Sequence, residues 1–111
     1  MSASSTIHLV RECWHNGNGQ TEAGFAERDD NQTGLEATIC DLICGQIEHP
    51  LQVIAIDVSE GWAIDVSEDV AITIAHRLMH IEIDWSEAQG LLNFIQAHAG
   101  VEIANELERA A

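Results

Sequence analysis

The stretch LQVIAIDVSEGWAIDVSED, residues 51–69, decides the predicted fold because it contains a β-hairpin that leads directly into a helix. Leu51 to Val58 is rich in β-branched residues and is predicted to be a strand. Glu60-Gly61 is predicted to form a two-residue turn, after which Trp62 to Val66 returns as a second strand. This stretch is therefore predicted to form two strands joined by a tight turn.

The pentapeptide Ile-Asp-Val-Ser-Glu occurs twice in this hairpin, at 56–60 and at 64–68. Five residues are too few to form a structural repeat unit. We therefore interpret the repetition as a coincidence between the two arms of the hairpin.

A helix is predicted to follow the hairpin, from Ser67 to about His80. Ser67 is a preferred N-cap residue, and Glu68 and Asp69 suit the positive end of the helix dipole. The apolar residues of this helix form an arc that covers more than half of its circumference: Val70, Ala71, Ile72, Ile74, Ala75, Leu78 and Met79. So wide an arc predicts that the helix is buried on more than one side and packs on another subunit, so a homo-oligomer is expected.

The N-terminal quarter of the chain predicts a second hairpin. Residues Thr6 to Trp14 alternate in a strand-like pattern, and Asn16 to Gly19 form a strong turn signal because Asn and Gly tolerate positive φ. Gln20 to Glu27 is predicted to return as the paired strand. Arg28 to Gln32 is predicted to be a polar loop.

Two further helices and a C-terminal segment complete the prediction. Thr33 and Glu36 form a capping box for a helix from about Gly34 to Glu48, and the only proline, Pro50, follows its end. Ile81 to Trp85 alternates and is predicted to be extended. A second capping box, Ser86 with Gln89, opens a helix that ends near Gly100, and Val101 to Ala111 is predicted to add one or two helical turns with a frayed end.

The predicted fold class is therefore α+β, in the order ββαββα followed by one or two helices. We expect a four-stranded antiparallel sheet with helices packed on one face. The length of 111 residues predicts that residues 1–111 form a single domain.

Net charge is the unusual property of this sequence. Nineteen acidic residues face four arginines, which gives a formal charge of -15. Such a field repels nucleic acid and anionic membranes and attracts basic proteins or cations. We therefore expect no direct nucleic-acid binding and no membrane binding. The alternative is that the acidic residues serve solubility alone.

A cytoplasmic location is predicted from the N-terminus and the cysteines. The segment MSASSTIHLV has neither the basic nor the apolar region of a signal peptide, and no apolar run is long enough to span a bilayer. The number of cysteines, three, is odd, and Cys40 and Cys44 are poorly spaced for a disulfide along a helix. Reduced thiols are therefore expected.

Metal-binding and catalytic patterns are weak or absent. His76 and His80 lie four residues apart on one helical face, but the HExxH pattern is missing. Cys40, Cys44 and His49 do not have the CxxC spacing of structural zinc sites. Residues 57–68 resemble a calcium loop only in part, because Trp62 replaces the required glycine. We predict a protein that is not an enzyme and has no cofactor.

The remaining signal is a surface of carboxylates with two tryptophans among them. Rows of carboxylates on a rigid scaffold can imitate phosphates and occupy the basic groove of a nucleic-acid-acting protein, and tryptophans are common interface anchors. The predicted partner-binding residues are Asp57, Glu60, Trp62, Asp65, Glu68, Asp69, Glu82, Asp84 and Trp85.

In size and charge, rather than in any motif, the chain resembles toxin immunity proteins and phage anti-restriction or anti-CRISPR inhibitors. This resemblance implies a small inhibitor that binds a basic, nucleic-acid-acting protein. Two other hypotheses remain open. One is an oligomeric ligand-binding protein built on the apolar helix, and the other is a metal-dependent enzyme that uses His76 and His80.

Overall fold

The computed structural model describes residues 6–26 and 33–110, and the loop predicted at 28–32 lies outside them. The order of elements confirms the α+β prediction of ββαββα followed by two helices. The elements are β1 (Thr6–His15), β2 (Thr21–Phe25), α1 (Leu35–Ile43), β3 (Pro50–Asp57), β4 (Trp62–Asp65), α2 (Ser67–Leu78), α3 (Gln89–Ala99) and α4 (Val101–Ala110).

The four strands form one antiparallel sheet in the order β2-β1-β3-β4. Val10 of β1 lies opposite Val53 of β3, and both are fully buried. Residues opposite each other project from the same side of an antiparallel pair. We call this side the inner face. It packs against helices, because Val10 and Val53 share one core with residues of all four helices.

The first hairpin confirms the predicted turn at the NGNG segment. The side chain of Asn16 accepts hydrogen bonds from the backbone N–H groups of Asn18 and Gln20, at 2.9 and 3.1 Å. Gly19 has φ of 77°, a conformation that favours glycine. The connection between the strands is therefore held by the Asn16 side chain together with backbone hydrogen bonds from Asn16 to Gln20 and from Gly19 to Asn16.

Helix α1 is shorter than predicted, since it ends at Ile43 rather than Glu48. The backbone N–H of Cys44 still bonds to the carbonyl of Cys40, but Gly45 then adopts φ of 77°. A glycine in this conformation is a common way to end a helix. Residues 44–49 consequently form a loop that leads into β3.

The predicted side-chain caps at Thr33, Ser67 and Ser86 are wrong. The N-cap residues of α1, α2 and α3 are Gly34, Val66 and Ala88, and none makes a side-chain cap hydrogen bond. The two serine hydroxyls have other partners. The Ser67 hydroxyl accepts a hydrogen bond from the Val53 N–H, and the Ser86 hydroxyl donates one to Asp84 Oδ1. The backbone carbonyl of Thr33 accepts a hydrogen bond from the His8 N–H.

The C-terminal segment is more ordered than the sequence predicted. Helix α4 contains ten residues, and its Ala104 and Leu107 are buried in the core. Residues 79–88 between α2 and α3 contain turns rather than a strand, and Trp85 within them is buried. Within the described ranges, no helix combines the length and apolar character required to cross a bilayer.

Helix α2 is covered by its own chain. Its buried residues follow one stripe along the helix and belong to the core that α1, α3, α4 and the sheet share. All of the apolar arc except the half-buried Ile72 is therefore used within the domain. Self-association remains a prediction, but α2 no longer supplies the surface for it.

Candidate functional site

Three of the predicted partner-binding aspartates are structural residues that hold turns. Each is followed two residues later by serine, and in each case the serine N–H donates a hydrogen bond to the aspartate Oδ1. The three pairs are Asp57 with Ser59 at 3.0 Å, Asp65 with Ser67 at 2.8 Å, and Asp84 with Ser86 at 3.1 Å. These aspartates already have partners within the chain.

Asp57 holds the loop between β3 and β4. Its Oδ1 atom accepts hydrogen bonds from the Ser59 hydroxyl at 2.9 Å and from the N–H of Glu60 at 2.9 Å. Asp57 lies opposite Trp62, so the loop contains the four residues 58–61 rather than the predicted two-residue turn. The loop is closed by Gly61, which has φ of 74°. This network fixes the position from which Glu60 projects.

Asp65 joins β4 to the start of α2. Its Oδ2 atom also accepts a hydrogen bond from the side chain of Gln52 at 2.8 Å. The pKa of Asp65 lies below its ordinary value, mainly because of hydrogen bonding by the hydroxyl and the backbone N–H of Ser67. The side-chain amide of Gln52 lowers this pKa further. The carboxylate is exposed, yet its role in the fold is to orient the first turn of α2.

A second group of predicted residues forms an exposed surface around β4. Trp62 and Ile64 project from the inner face of this edge strand, where Trp62 is half-buried and Ile64 is 54 % exposed. Glu60 accepts a hydrogen bond from the Trp62 Nε1–H at 3.3 Å. Sequence reasoning missed Ile64, although its alternation with Trp62 was the available signal. We call the surface made by Glu60, Trp62, Ile64, Glu68 and Asp69 the β4 patch.

The carboxylates at the helical end of the β4 patch have no partner within residues 6–26 and 33–110. Glu68 and Asp69 lie in the first turn of α2 and are exposed, and their carboxylates receive no hydrogen bond or ion pair from the described residues. Asp69 also borders a small apolar hollow of about 140 Å³ between α1 and α2, which is lined by Leu35, Val66 and Val70. The patch thus combines apolar side chains with unneutralised acids.

The remaining predicted residues lie at the other end of α2. This helix has twelve residues and is therefore about 18 Å long, so Glu82, Asp84 and Trp85 are remote from the β4 patch. Trp85 is only 8 % exposed and belongs to the core. It cannot serve as an interface anchor without unfolding its surroundings, and the predicted single surface is divided in two.

Glu82 and Asp84 line a groove that sequence reasoning did not find. The groove has a volume of about 630 Å³ and lies between the α1–β3 loop and the start of α3. Its base includes Leu42, Ile47 and Leu91, and further carboxylates at its lining come from Glu48 and Glu87. No sequence pattern brings residues 48 and 87 together, so only the fold reveals this groove.

Two contacts hold the groove in shape. Gly90, in the first turn of α3, lies so close to the preceding loop that a Cβ atom there would be 1.7 Å from the Glu48 carbonyl oxygen. His98, near the other end of α3, bonds through Nε2 to the Leu51 carbonyl oxygen at 2.7 Å. Helix α3 is therefore docked on residues 48–51 at two points.

Basic groups do not neutralise either acidic surface in the part of the chain that the structure describes. Arg77 forms a two-bond pair with Glu36, at 2.9 and 2.6 Å, and this hydrogen bonding lowers the pKa of Glu36. Arg11 donates to the side chain of Gln52, and Arg109 donates to the carbonyl oxygen of Asn105. The negative electrostatic potential of the carboxylates in the β4 patch and in the groove is therefore not cancelled by the arginines of the described residues.

The histidines and cysteines considered as metal ligands do not form a cluster among the described residues. His76 and His80 are exposed on or just after α2, and residues 6–26 and 33–110 contain no group of three or more His, Cys, Asp or Glu side chains suited to hold a metal ion. Cys13, Cys40 and Cys44 are free thiols.

Comparison with protein-family models, with curated proteins and with solved structures gives no match to this chain.

Proposed function

We propose that the protein is a non-enzymatic binding protein whose β4 patch engages a basic surface of a nucleic-acid-acting protein. One observation carries the proposal. A half-buried tryptophan, Trp62, and an exposed isoleucine, Ile64, lie on the same strand as neighbours of carboxylates that receive no basic partner from the described chain. Tryptophan anchors surrounded by charged residues are typical of the energetic centre of an interface.

The patch is also rigid, which favours binding. Asp57 fixes the loop that carries Glu60, and Asp65 fixes the turn that leads to Glu68 and Asp69. Groups that are already ordered lose little conformational entropy when a partner binds. The structural aspartates therefore support the binding acids instead of making contact themselves.

The class of partner follows from the charge. A body of formal charge -15 attracts basic proteins over long distances and accelerates their association. Grooves that bind phosphates are lined by Arg and Lys, and carboxylates held on a stable scaffold can occupy the same donors. A basic protein that acts on nucleic acid is the partner that fits both properties.

Affinity capture from extracts of the native cell tests the proposal. We expect the wild-type protein to retain one basic protein in stoichiometric amount. A patch variant carrying Glu60→Gln, Glu68→Gln and Asp69→Asn should lose it. The matched control carries Glu102→Gln, Glu106→Gln and Glu108→Gln, which removes the same charge from exposed positions of α4. Equal retention by the two variants would refute the assignment of the patch.

A second candidate function is supported by the groove between the α1–β3 loop and α3. Its volume of about 630 Å³ lies in the range of small-molecule sites, and it combines an apolar base with carboxylates. Such a groove suits a small organic cation. Calorimetric titration with a linear polyamine tests this, and Glu82→Gln with Glu87→Gln should abolish binding. Absence of binding heat with the wild-type protein would eliminate the candidate.

A further inference from the structure

The side of the sheet opposite the helices is apolar. Ile7 and Leu9 of β1 alternate with the buried His8 and Val10, so they project from this other side, which we call the outer face. Ile56 lies opposite Ile7, and Ile54 lies opposite Leu9. Four large aliphatic side chains therefore form a continuous cluster on the two central strands.

This cluster is separate from the core. Val10 and Val53 belong to the core, whereas Ile7, Leu9, Ile54 and Ile56 are not among the residues packed into it. The molecule measures 42 × 40 × 21 Å, and a thickness of 21 Å corresponds to one sheet and one layer of helices, each about 10 Å deep. The described part of the chain thus has no second layer of helices to place on the outer face.

The outer face also differs in charge from the rest of this acidic protein. Three of its polar side chains form a row across three strands, in which Arg11 bonds to Gln52 and Gln52 bonds to Asp65. One cation and one anion are thereby joined through an amide. The face carries almost no net charge, and its polar groups are already hydrogen-bonded, so covering them costs little.

We propose that two copies of this chain associate through their outer faces. A second copy fits because each copy offers the same aliphatic cluster and the same row with both Arg11 and Asp65, which makes the surface self-complementary. Two copies in opposite orientation can bring Arg11 of one near Asp65 of the other. A strongly basic protein, by contrast, would not be attracted to the outer face, because this face carries few carboxylates.

The available area suits a weak dimer. The four strands contain 10, 5, 8 and 4 residues, and each residue covers about 3.3 by 4.8 Å, so each face offers about 430 Å². Two apposed faces therefore bury about 860 Å², which is typical of a weak, reversible interface. A dissociation constant on the order of micromolar is expected for an interface of this size.

Repulsion between two acidic copies does not prevent this arrangement. The helices and their acids lie on the sides that point away from the interface. Two packed sheets and a layer of helices on each side separate these acids by about 30 Å, several times the Debye length of about 8 Å at physiological salt. The affinity of the dimer should accordingly change little between about 0.15 M and about 0.5 M salt.

Sedimentation velocity tests the proposal directly. The wild-type protein should change from monomer to dimer between about 1 and about 100 µM, at similar concentrations in about 0.15 M and about 0.5 M salt. The face variant carries Leu9→Thr and Ile54→Thr, which keep strand-compatible side chains while removing apolar area. Its dissociation constant should rise at least about tenfold.

A matched control comes from the same sheet. Ile64→Thr alters an isoleucine that is 54 % exposed but projects from the inner face, so dimerisation should be unchanged. Circular dichroism confirms that each variant is folded, and the single change Ile56→Thr replaces the face variant if that one does not fold. A wild-type protein that stays monomeric at about 100 µM in both salts, or equal dimerisation by face variant and control, would overturn the proposal.

Discussion

Ser67 donates its backbone N–H to the Oδ1 atom of Asp65 at 2.8 Å, so the last residue of β4 orients the first residue of α2. The Ser67 hydroxyl also accepts a hydrogen bond from the N–H of Val53 at 2.8 Å. One serine thus connects the edge strand, the central strand β3 and the helix. The β4 patch depends on this junction, because Glu68 and Asp69 follow it directly.

The first prediction concerns the structural role of Asp65. Asp65→Ala should lower the free energy of unfolding by about 1 kcal/mol, because the Ser67 N–H and the Gln52 amide lose their acceptor. Urea denaturation measures the change. The control is Glu82→Ala, which removes an exposed carboxylate without a partner among the described residues and should change stability by less than about 0.5 kcal/mol. Equal losses would contradict a structural role for Asp65.

The second prediction concerns pH. The folded-state pKa of Asp65 is lowered, so its contribution to stability is present above the ordinary value of about 4 and is lost as pH falls through the lowered folded value. Asp65→Asn keeps an acceptor oxygen but cannot titrate. The stability advantage of the wild type over this variant should therefore shrink between about pH 5 and about pH 2. Urea denaturation across this range measures it, and an advantage that grows on acidification would contradict the account.

The third prediction concerns the contact that shapes the groove. Gly90→Ala should destabilise the protein by more than about 3 kcal/mol, since the new methyl group would overlap the Glu48 carbonyl and force α3 away from the loop. Thermal denaturation measures this loss. Gly17→Ala is the control, because a Cβ atom at Gly17 has nothing within 4 Å. If Gly90→Ala were as stable as Gly17→Ala, helix α3 would not pack as closely against the Glu48 carbonyl as the structure shows.

The fourth prediction separates two of the tryptophans. Trp85→Ala should cost about 3–5 kcal/mol of stability, because it empties a site in the core. Trp62→Ala should cost less than about 1 kcal/mol and should instead weaken partner binding. Urea denaturation and a binding assay on both variants provide the measurements. Similar stability losses for the two variants would contradict the distinction.

Much of the fold could be predicted from the sequence, since alternation and turn residues are local signals. The four strands follow from β-branched runs and from glycine and asparagine turns, and Gly100 marks the end of α3 as expected. Local signals were insufficient for α4. Its stability depends on burying Ala104 and Leu107 against other helices, and that contact has no local signature.

The prediction of side-chain caps was wrong for a related reason. Ser67 matches the pattern of an N-cap, yet the fold brings Val53 within reach of its hydroxyl. Competition from distant backbone groups cannot be read from spacing alone. The repeated Ile-Asp-Val-Ser-Glu segment, in contrast, was undervalued. It is no coincidence, because both copies end a strand with the same bond from serine N–H to aspartate Oδ1.

The candidate site was predicted in part. The sequence shows that the second hairpin and the start of α2 are acidic. It does not show that the predicted partner-binding residues lie on two separate surfaces. The sequence also cannot distinguish Asp65, whose carboxylate is engaged, from Asp69, whose carboxylate is free of partners among the described residues. That difference depends on which backbone N–H groups the fold places beside each carboxylate.

The central claim is that the unpartnered acids of the β4 patch, and not the acidity of the whole protein, bind the basic partner. The most direct measurement is the association rate of the captured partner with the patch variant and with the α4 control, at low and at physiological salt. These variants have equal net charge. We predict association at least about tenfold slower for the patch variant than for the control, with a difference that decreases as salt rises. Equal rates for the two variants at both salt concentrations would contradict the account.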